Sequence, residues 1–504
     1  MDITMLKYMG FLTTCSVFAA LTSIVWQAFL SLKHLNKLTT ILTGLLAIEK
    51  SLNRDWSAPN FRVAIGYGAC TDLVINATEF LNYTDQIPKQ LNQEFTVDEV
   101  NDETELLETF AYYFQKGAAA ERTIPNSTLF RNLIRKAKRG HHGNIHWQIG
   151  GNAPLMGIRF RKEGWDVLLG AHMSYKLRRL VPKDIRIAGD EVLEDDIHLI
   201  LEYKAGETWG PFTAPRANRY ILHNDQTNPY LKSLENLEKA IKDYQPHLIV
   251  VSGLQMMDSY KFEKGVRESR LLKVMQQLTN ALPQTLLHFE MASYVEIELL
   301  QQLKRYVLPY VDSLGMNEQE LENLAQVLEF GRTTLASDCN PRLAPTLDKM
   351  RKILHMLAFD YYNYTTKTDK TKRRLLTRIH LHTLAYQALM TVSNSNWKNT
   401  RLAVAKAALM ANRYVCQMDT INPEASSLIL DDSFSTSLNK TKAQRINFNP
   451  QSPVACWIET LEIEEMKRSI EINICVSPVL VCRVAKKTAG AGDNISAAAL
   501  SQQF

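Results

Sequence analysis

Near its C-terminus, the chain combines a glycine-rich turn with an acidic side chain in the sequence Thr-Ala-Gly-Ala-Gly-Asp, from Thr488 to Asp493. Glycines at 490 and 492 let the backbone turn tightly, so that successive amide groups can point at one anion. The helix-forming residues 494–500 would add the positive end of a helix dipole. Because a carboxylate beside an anion site is electrostatically unfavourable, we interpret Asp493 as a base that takes a proton from an attacking hydroxyl.

Short apolar runs alternate with helix-length segments and would position such a site. Glycine or polar residues bound these runs, which include residues 61–65, 166–169, 247–251, 285–289 and 479–482. The pattern is typical of buried parallel strands in an α/β fold, where ligands collect at the carboxyl ends of the strands. Asp72, Glu290 and Asp493 each follow such a run, so we expect them to share one site. A plain turn in which Asp493 caps the next helix is the structural alternative.

Seven short sequence blocks occur in the order found in one enzyme family. They occupy residues 66–72, 117–122, 150–153, 288–290, 317–320, 378–383 and 488–493. On these blocks the chain resembles the eukaryotic ADP-dependent glucokinases, members of the ribokinase-like superfamily. The resemblance implies a three-layer α/β/α catalytic domain at 51–504, after an N-terminal segment and linker at 1–50. It also implies a smaller inserted lid domain, built from segments near 73–122 and 195–219, that excludes water on closing.

The resemblance implies a catalytic and metal centre around the glycine-rich block. Asp493 would be the base for the sugar 6-hydroxyl. The amides of residues 489–492, which include Gly490, Ala491 and Gly492, would hold the transferred phosphoryl as an anion hole. The His-X-Glu and Asn-Glu-X-Glu motifs match a metal-site pattern, so one Mg²⁺ per subunit would bind Glu290, Glu320 and Asp493. Hard oxygen ligands suit Mg²⁺, which keeps several waters.

The resemblance likewise implies a sugar site. Asp72 and Glu121 would contact the sugar, because a carboxylate accepts several hydroxyl hydrogen bonds. Gly150, Gly151 and Asn152 would add backbone and amide contacts. A glutamate at 121 would repel a sugar phosphate, so glucose is favoured over fructose 6-phosphate. If the resemblance is set aside, the alternative for both Asp72 and Glu121 is an ordinary surface or helix-capping carboxylate.

The nucleotide contacts implied by the resemblance are Arg219, Asn317 and His382. A surface salt bridge is the alternative for Arg219, and a structural histidine is the alternative for His382 and for its neighbour His380. A glycine-rich anion hole with magnesium serves ATP as well as ADP. The chain has no Walker motif. The preference for ADP as co-substrate therefore comes from the resemblance alone.

Composition limits the other classes of function. The chain has 504 residues, 45% hydrophobic and 22% charged, with a net charge of +5. These values predict a globular protein of more than one lobe, and without a basic, aromatic-rich stripe we expect no nucleic-acid binding. The seven cysteines contain no CxxC pair, so we expect no zinc site and mainly buried thiols, with room for one disulfide.

The N-terminus predicts membrane targeting. Residues 8–32 carry no charge, and about 20 apolar residues span a bilayer core. The segment suits a cleaved signal peptide or an uncleaved anchor, and a buried globular helix is the remaining alternative. We expect membrane association through residues 1–50 and location at the endoplasmic reticulum, which the resemblance also implies. Basic residues on both sides leave the orientation open.

The leading hypothesis is a monomeric kinase that converts glucose and ADP to glucose 6-phosphate and AMP. The first rival is an ATP-dependent sugar or nucleoside kinase of the same superfamily. The second rival is a membrane-tethered binding protein that does not turn over substrate. Asp493, Glu290, Glu320 and the two glycines argue against this second rival, because simple binding gives no reason to keep a base beside an anion hole.

Overall fold

The structure is a computed structural model that describes residues 3–51, 60–88, 99–140, 145–333, 341–365, 372–441 and 443–504, with side chains from residue 15 onward. The sequence also predicts a linker at residues 51–60, most of which lies outside the described residues. Within the described ranges, helices and strands alternate along the chain.

The helices are α1 Ile3–Lys50, α2 Ala77–Phe80, α3 Glu103–Lys116, α4 Ser127–Arg139, α5 Asn152–Lys162, α6 Tyr175–Arg178, α7 Leu234–Tyr244, α8 Val266–Thr279, α9 Ile297–Tyr306, α10 Glu318–Phe330, α11 Leu343–Thr365, α12 Thr400–Cys416 and α13 Ala491–Leu500.

The strands are β1 Arg62–Gly66, β2 Cys70–Asn76, β3 Ala120–Thr123, β4 His146–Gly150, β5 Asp166–Gly170, β6 Met173–Ser174, β7 Arg186–Ala188, β8 Glu191–Val192, β9 Ile197–Tyr203, β10 Thr208–Trp209, β11 Phe212–Thr213, β12 Asn218–His223, β13 Leu248–Val251, β14 Leu286–Glu290, β15 Ser313–Asn317, β16 Arg378–His382, β17 Tyr386–Val392, β18 Ser426–Leu428, β19 Ser433–Ser435, β20 Arg445–Asn447, β21 Ala455–Ile463, β22 Arg468–Pro478 and β23 Leu480–Cys482.

A ten-stranded sheet forms the centre of the larger domain. Its order is β21-β22-β17-β16-β15-β14-β13-β1-β5-β7. The seven strands from β16 to β7 are parallel, and the three at the other edge are antiparallel. Because parallel strands need crossover connections, helices cover both faces of this sheet. The expected α/β fold class is confirmed.

Alternate side chains of the parallel strands pack into two different hydrophobic cores, one on each face of the sheet. On β13, Ile249 and Val251 pack toward the layer formed by α7 to α11. Leu248 and Val250 pack toward the opposite layer, which includes α5 and α13. This layer continues into α12, whose alanine-rich face packs against α13 and β22. The two layers and the sheet between them make a three-layer α/β/α domain.

A second, five-stranded sheet lies over the carboxyl edge of the large sheet, and we call it the lid sheet. Its order is β3-β12-β9-β2-β4. Its core is aromatic: Phe110 and Phe114 of α3 pack on Tyr203 and Tyr220. The segments 73–122 and 195–219 supply most of these elements, together with β4 and the end of β12.

Two sequence expectations about strand positions differ from the structure. Glu290 ends β14 in the large sheet as expected. Asp72 instead lies inside β2, because the chain turns directly from β1 into the lid sheet. The run at 479–482 forms β23, which pairs with β18 outside the ten-stranded sheet. Asp493 therefore reaches the carboxyl edge through a loop rather than from a parallel strand.

Cysteine pairing also differs from the expectation of buried thiols with one disulfide at most. Disulfides join Cys416 to Cys482 and Cys456 to Cys475. The second pair is directly opposite in the register of β21 and β22, a relation that sequence spacing does not show. Cys70 is a buried free thiol.

The N-terminal helix α1 has two different halves. Its apolar side chains from residue 17 to 32 are exposed; Phe18 and Trp26, for example, are 69% and 62% exposed. Leu38, Ile41 and Leu45 are buried against α12, and Glu49 accepts hydrogen bonds from Lys406 and Arg413. In the described part of the chain, α1 is the one helix long and apolar enough to cross a membrane.

Candidate active site

A deep cavity of about 720 Å³ separates the lid sheet from the carboxyl edge of the large sheet. It brings together nearly all the residues that the sequence proposes for a site. Those that line it are Asp72, Glu121, Gly151, Asn152, Arg219, Glu290, Asn317, Glu320, His382, Gly490, Ala491, Gly492 and Asp493. Gly150 does not line the cavity and lies directly against Asp72, where a Cβ atom would be 1.8 Å from Asp72 Oδ1.

The glycine-rich loop turns at Gly490 and begins α13 at Ala491. Gly490 has a φ of +74°, a conformation that residues with a Cβ rarely adopt. The amide of Ala491 donates to Thr488 O at 3.2 Å and so closes the turn instead of facing the cavity. Among the residues that the structure describes, the amides of Gly490 and Gly492 have no protein acceptor. These two amides are thus available to donate to a ligand in the cavity.

Asp493 lies in the first turn of α13 and is held by a chain of side-chain amides. Asn152 Nδ2 donates to Asp493 Oδ1 at 2.9 Å, and Gln255 Nε2 donates to Asn152 Oδ1 at 2.6 Å. Burial raises the pKa of Asp493 to about 6, and the charge of Glu290 adds to the effect. Asn152, expected at the sugar, therefore orients the acidic side chain.

Glu290 is held by two histidines. His288 Nε2 lies 2.9 Å from Glu290 Oε2, and His382 Nε2 lies 3.5 Å from Glu290 Oε1. Burial opposes ionisation, but these histidines outweigh it and lower the pKa of Glu290 to about 2. Burial would lower the pKa of His382, but the hydrogen bond to Glu290 and the nearby carboxylates raise it. His380 is buried away from the cavity, so His382 is the histidine of its motif that reaches the site.

Asn317 and Glu320 cap the N-terminus of α10. Asn317 Oδ1 accepts hydrogen bonds from the amides of Gln319 and Glu320, both at 2.9 Å. Glu320 accepts in return from the Asn317 amide and side chain, both at 2.8 Å. Burial raises the pKa of Glu320 to about 7. The side chain of Asn317 is thus engaged in the cap on the cavity wall.

The lid sheet contributes a separate group of polar side chains. Asp72 accepts a hydrogen bond from Cys70 Sγ at 3.3 Å, and burial raises the pKa of Asp72 to about 6. Glu121 Oε1 lies 4.0 Å from His198 Nδ1. His198 Nε2 bonds Asp225 at 3.0 Å, and Asp225 is fully buried. Asp72, Glu121 and His198 thus share one wall of the cavity.

Arginines link the lid sheet to the rest of the site. Arg219 lines the cavity from β12, and its Nε is buried without a hydrogen-bond partner among the described residues. Arg216 bridges the two domains, because Nη1 bonds Glu318 Oε1 at 2.7 Å and Nε bonds Gly117 O at 2.8 Å. A partly buried ion pair therefore joins the lid sheet to the large domain across the cavity.

The sequence interpretation missed several side chains of this site: His198, Glu202, Arg216, Gln255 and Tyr414. His198 and Glu202 stand in the strand-like run 197–203, where polar residues among apolar ones are a usable signal. Gln255 and Tyr414 have no comparable signal, because their partners are more than 70 residues away along the chain.

The chain is similar in sequence to known proteins over most of its length. The conserved region of ADP-specific phosphofructokinases and glucokinases matches residues 61–502. The chain is 32% identical to the ADP-dependent glucokinase of Bos taurus over 442 residues, covering 87% of this chain and 84% of that protein. It is 29% identical to a probable ADP-dependent glucokinase of Caenorhabditis elegans, with the same coverage.

Solved structures share the fold at lower identity. An ADP-dependent kinase in complex with fructose-6-phosphate and ADPβS superimposes with a TM-score of 0.60 at 15% identity, covering 92% of this chain and 97% of that one. An ancestral ADP-dependent phosphofructokinase from Methanosarcinales gives a TM-score of 0.52 at 17% identity, covering 93% and 98%. These likenesses establish the architecture of the sheet and lid.

Proposed function

The chain belongs to the family of ADP-specific phosphofructokinases and glucokinases, and from that premise we propose that it is an ADP-dependent glucokinase. It transfers the β-phosphoryl group of ADP to the 6-hydroxyl of glucose and releases glucose 6-phosphate and AMP. The glucokinase names of the relatives at 29–32% identity support glucose as the acceptor.

One observation carries this proposal: a buried aspartate beside two amides that lack protein acceptors. Asp493 takes the proton of the 6-hydroxyl while the oxygen attacks the β-phosphorus. The bond from that phosphorus to the bridging oxygen breaks, and AMP leaves with the oxygen. The amides of Gly490 and Gly492 stabilise the charge on the transferring phosphoryl. A pKa of about 6 keeps Asp493 ionised at neutral pH while leaving it basic enough to accept a proton.

The acidic residues of the cavity fit a divalent cation. Glu290, Glu320 and Asp493 offer only oxygen ligands. The pKa values of Glu320 and Asp493 are raised, because burial and repulsion between the carboxylates outweigh the nearby positive charge. We propose that they hold one Mg²⁺ directly or through water. The ion, when bound, neutralises phosphate charge.

The choice of acceptor rests on the lid wall. Asp72 and Glu121 are acceptors for hydroxyl groups, whereas a sugar phosphate beside Glu121 would meet like charge. His198 adds a donor between them. This wall therefore favours neutral glucose over fructose 6-phosphate.

The other end of the cavity suits the nucleotide. Its apolar wall includes Ala411, Val415, Val479 and Val481, which would pack on an adenine ring. Arg219 is the cation for the phosphates, and its buried Nε supports that role. We propose that Asn317 and His382, which also line the cavity, contact the nucleotide.

We also propose how the domains and the N-terminus serve this reaction. The segments 73–122 and 195–219 act as the lid over a catalytic domain at 51–504, and closure excludes water. Residues 1–50 anchor a monomeric enzyme to the endoplasmic reticulum membrane. The continuity of α1 with its packed residues at 38–45 supports an uncleaved anchor. N-terminal sequencing of the protein from membranes should therefore find the chain starting before residue 15.

The test uses the full chain in detergent with glucose and Mg²⁺. Glucose 6-phosphate should form with ADP as donor and not with ADP-free ATP, and fructose 6-phosphate should not replace glucose. Turnover with ATP alone would select the rival ATP-dependent sugar or nucleoside kinase. Binding without turnover with either donor would select the non-catalytic protein.

A further inference from the structure

Glu202, on strand β9 of the lid sheet, accepts three hydrogen bonds from the glycine-rich loop. Its Oε1 lies 2.8 Å from Thr488 N, 2.7 Å from Thr488 Oγ1 and 3.1 Å from Ala489 N. A carboxylate that takes amide donors forms charge-assisted hydrogen bonds, which are stronger than neutral ones. The lid sheet therefore holds the loop that precedes the base.

Packing at Ala489 supports the same connection independently. Ala489 is buried in a small apolar cluster with Val74 of β2 and Ile200 of β9, and Ile221 of β12 packs against it. On its other side, Ala489 O accepts a hydrogen bond from the hydroxyl of Tyr414 at 2.7 Å. Ala489 is thus held between three lid strands and helix α12 of the large domain.

These contacts decide which amides of the loop remain for a ligand. Glu202 takes the amides of Thr488 and Ala489, and the amide of Ala491 closes the turn on Thr488. The amides of Gly490 and Gly492 remain, and their directions follow from the position of the residues before them. A lid that moves away would remove three hydrogen bonds and the apolar contact from the loop at once.

We propose that Glu202 is a positioning residue that couples lid closure to formation of the anion hole. In the closed lid, its carboxylate fixes Thr488 and Ala489 so that the next free amides point at the transferring phosphoryl. This inference rests on the proposed kinase function. It assigns Glu202 no proton transfer and no contact with substrate.

Steady-state kinetics of three variants test the proposal. Glu202→Ala should lower kcat about 10- to 100-fold, because misaligned anion-hole donors lose much of their effect, and should change the KM for glucose less than about threefold. Glu202→Gln should recover most of the activity, since its amide oxygen still accepts hydrogen bonds. Glu194→Ala removes an exposed carboxylate from the segment just before β9 and should match wild type. A kcat of Glu202→Ala within twofold of wild type, or equal losses in both Glu202 variants, would overturn the proposal.

Hydrogen exchange provides a readout that needs no turnover. The amides of Thr488 and Ala489 should exchange faster in Glu202→Ala, whereas amides in the middle of α13 should keep their protection. Equal exchange at 488 and 489 in both proteins would overturn the proposal. Should Glu202→Ala fail to fold, Thr488→Ala removes one of the three hydrogen bonds from the loop side and should lower kcat by a smaller factor. Inactivity of the wild-type chain on glucose would refute the proposed function. The hydrogen-exchange comparison would still test whether Glu202 holds the loop.

Discussion

Two buried groups of histidines and carboxylates lie on opposite sides of the cavity, and they differ in charge balance. The lid group consists of His198, His223 and Asp225. The edge group, at the carboxyl edge of the large sheet, consists of His382, Glu290, Glu320 and Asp493. Both groups consist of titratable side chains that are nearly inaccessible to water.

The negative charge of the lid group is compensated within the group. Asp225 bonds His198 at 3.0 Å, accepts from Asn228 at 2.8 Å and lies 3.6 Å from His223. Burial would raise the pKa of Asp225, but the two histidines lower it far below its usual range. Burial would lower the pKa of His198, but neighbouring Cys70 and Asp225 raise it well above its usual value. The group needs no further ion.

The edge group is short of positive charge. Three carboxyl groups share the histidines around Glu290, and only Glu290 has a lowered pKa. The pKa values of Glu320 and Asp493 are raised by burial. The lid group has the residue types and spacing of a metal site, with ligand atoms within 4.8 Å of one another. We therefore expect a cation at the edge group, whose negative charge is uncompensated, rather than at the lid group, which has suitable ligand types but compensated charge.

The largest expected effect comes from removing the base in the edge group. Asp493→Asn should lower kcat by about 10²- to 10⁴-fold, because it removes the proposed acceptor for the proton of the sugar hydroxyl. Coupled assay of glucose 6-phosphate measures the loss, and calorimetry should show ADP binding within about threefold of wild type. Near-normal turnover would contradict the role of Asp493.

The same substitution in the lid group should act on folding instead. Asp225→Asn leaves the buried His198 and His223 without their carboxylate partner and should lower the free energy of unfolding by about 3–5 kcal/mol. Urea denaturation measures this loss, with Asp493→Asn as the matched control that should lose no stability. Equal free energies of unfolding for the two variants would contradict the proposed difference between the lid group and the edge group.

A pH series sharpens the comparison in the edge group. Folding raises the pKa of Glu320 from 4.5 to about 7, so wild-type stability contributed by this group is present below pH 4.5 and is lost as pH rises toward 7. Glu320→Gln keeps one acceptor oxygen for the Asn317 amide of the helix cap and does not titrate. Without metal, the variant should match wild type near pH 4.5 and be more stable by about 3 kcal/mol at pH 8. A constant difference across this range would exclude the raised pKa.

The smallest expected effect concerns the side chain that orients Asn152. Gln255→Ala removes one hydrogen bond and should lower kcat about fivefold, equivalent to about 1 kcal/mol. The exposed Gln284→Ala is the control and should be unchanged. An unchanged kcat in Gln255→Ala would show that Asn152 holds Asp493 without its help.

Sequence reasoning went furthest where chemistry coincides with a local pattern. The run before Glu290 predicts a buried strand, and Glu290 indeed ends β14 at the cavity. The glycines around Ala491 predict the turn before a helix, which begins at that residue. In both places, a few consecutive residues contain the signal.

The remainder depends on contacts between distant segments. Glu202 and Thr488 are 286 residues apart, so no spacing rule connects them. The sequence places Asp72 after a strand of the large sheet, but that strand, β1, already ends at Gly66, and Asp72 lies inside strand β2 of the lid sheet. Asn152 and Asn317 were assigned to ligands, whereas folding gives their side chains protein partners. Tertiary packing thus decides which polar side chains bond to other protein groups, whereas sequence patterns identify only the candidates.

We propose that the edge group, and not the lid group, holds the metal ion that turnover requires. Binding of Mn²⁺ in place of Mg²⁺, counted by electron paramagnetic resonance with saturating ADP and no glucose, tests it directly. We predict one ion per chain in wild type and in Asp225→Asn, with affinity reduced about 10- to 100-fold in Glu320→Gln. A second ion that disappears in Asp225→Asn, or unchanged affinity in Glu320→Gln, would contradict the account.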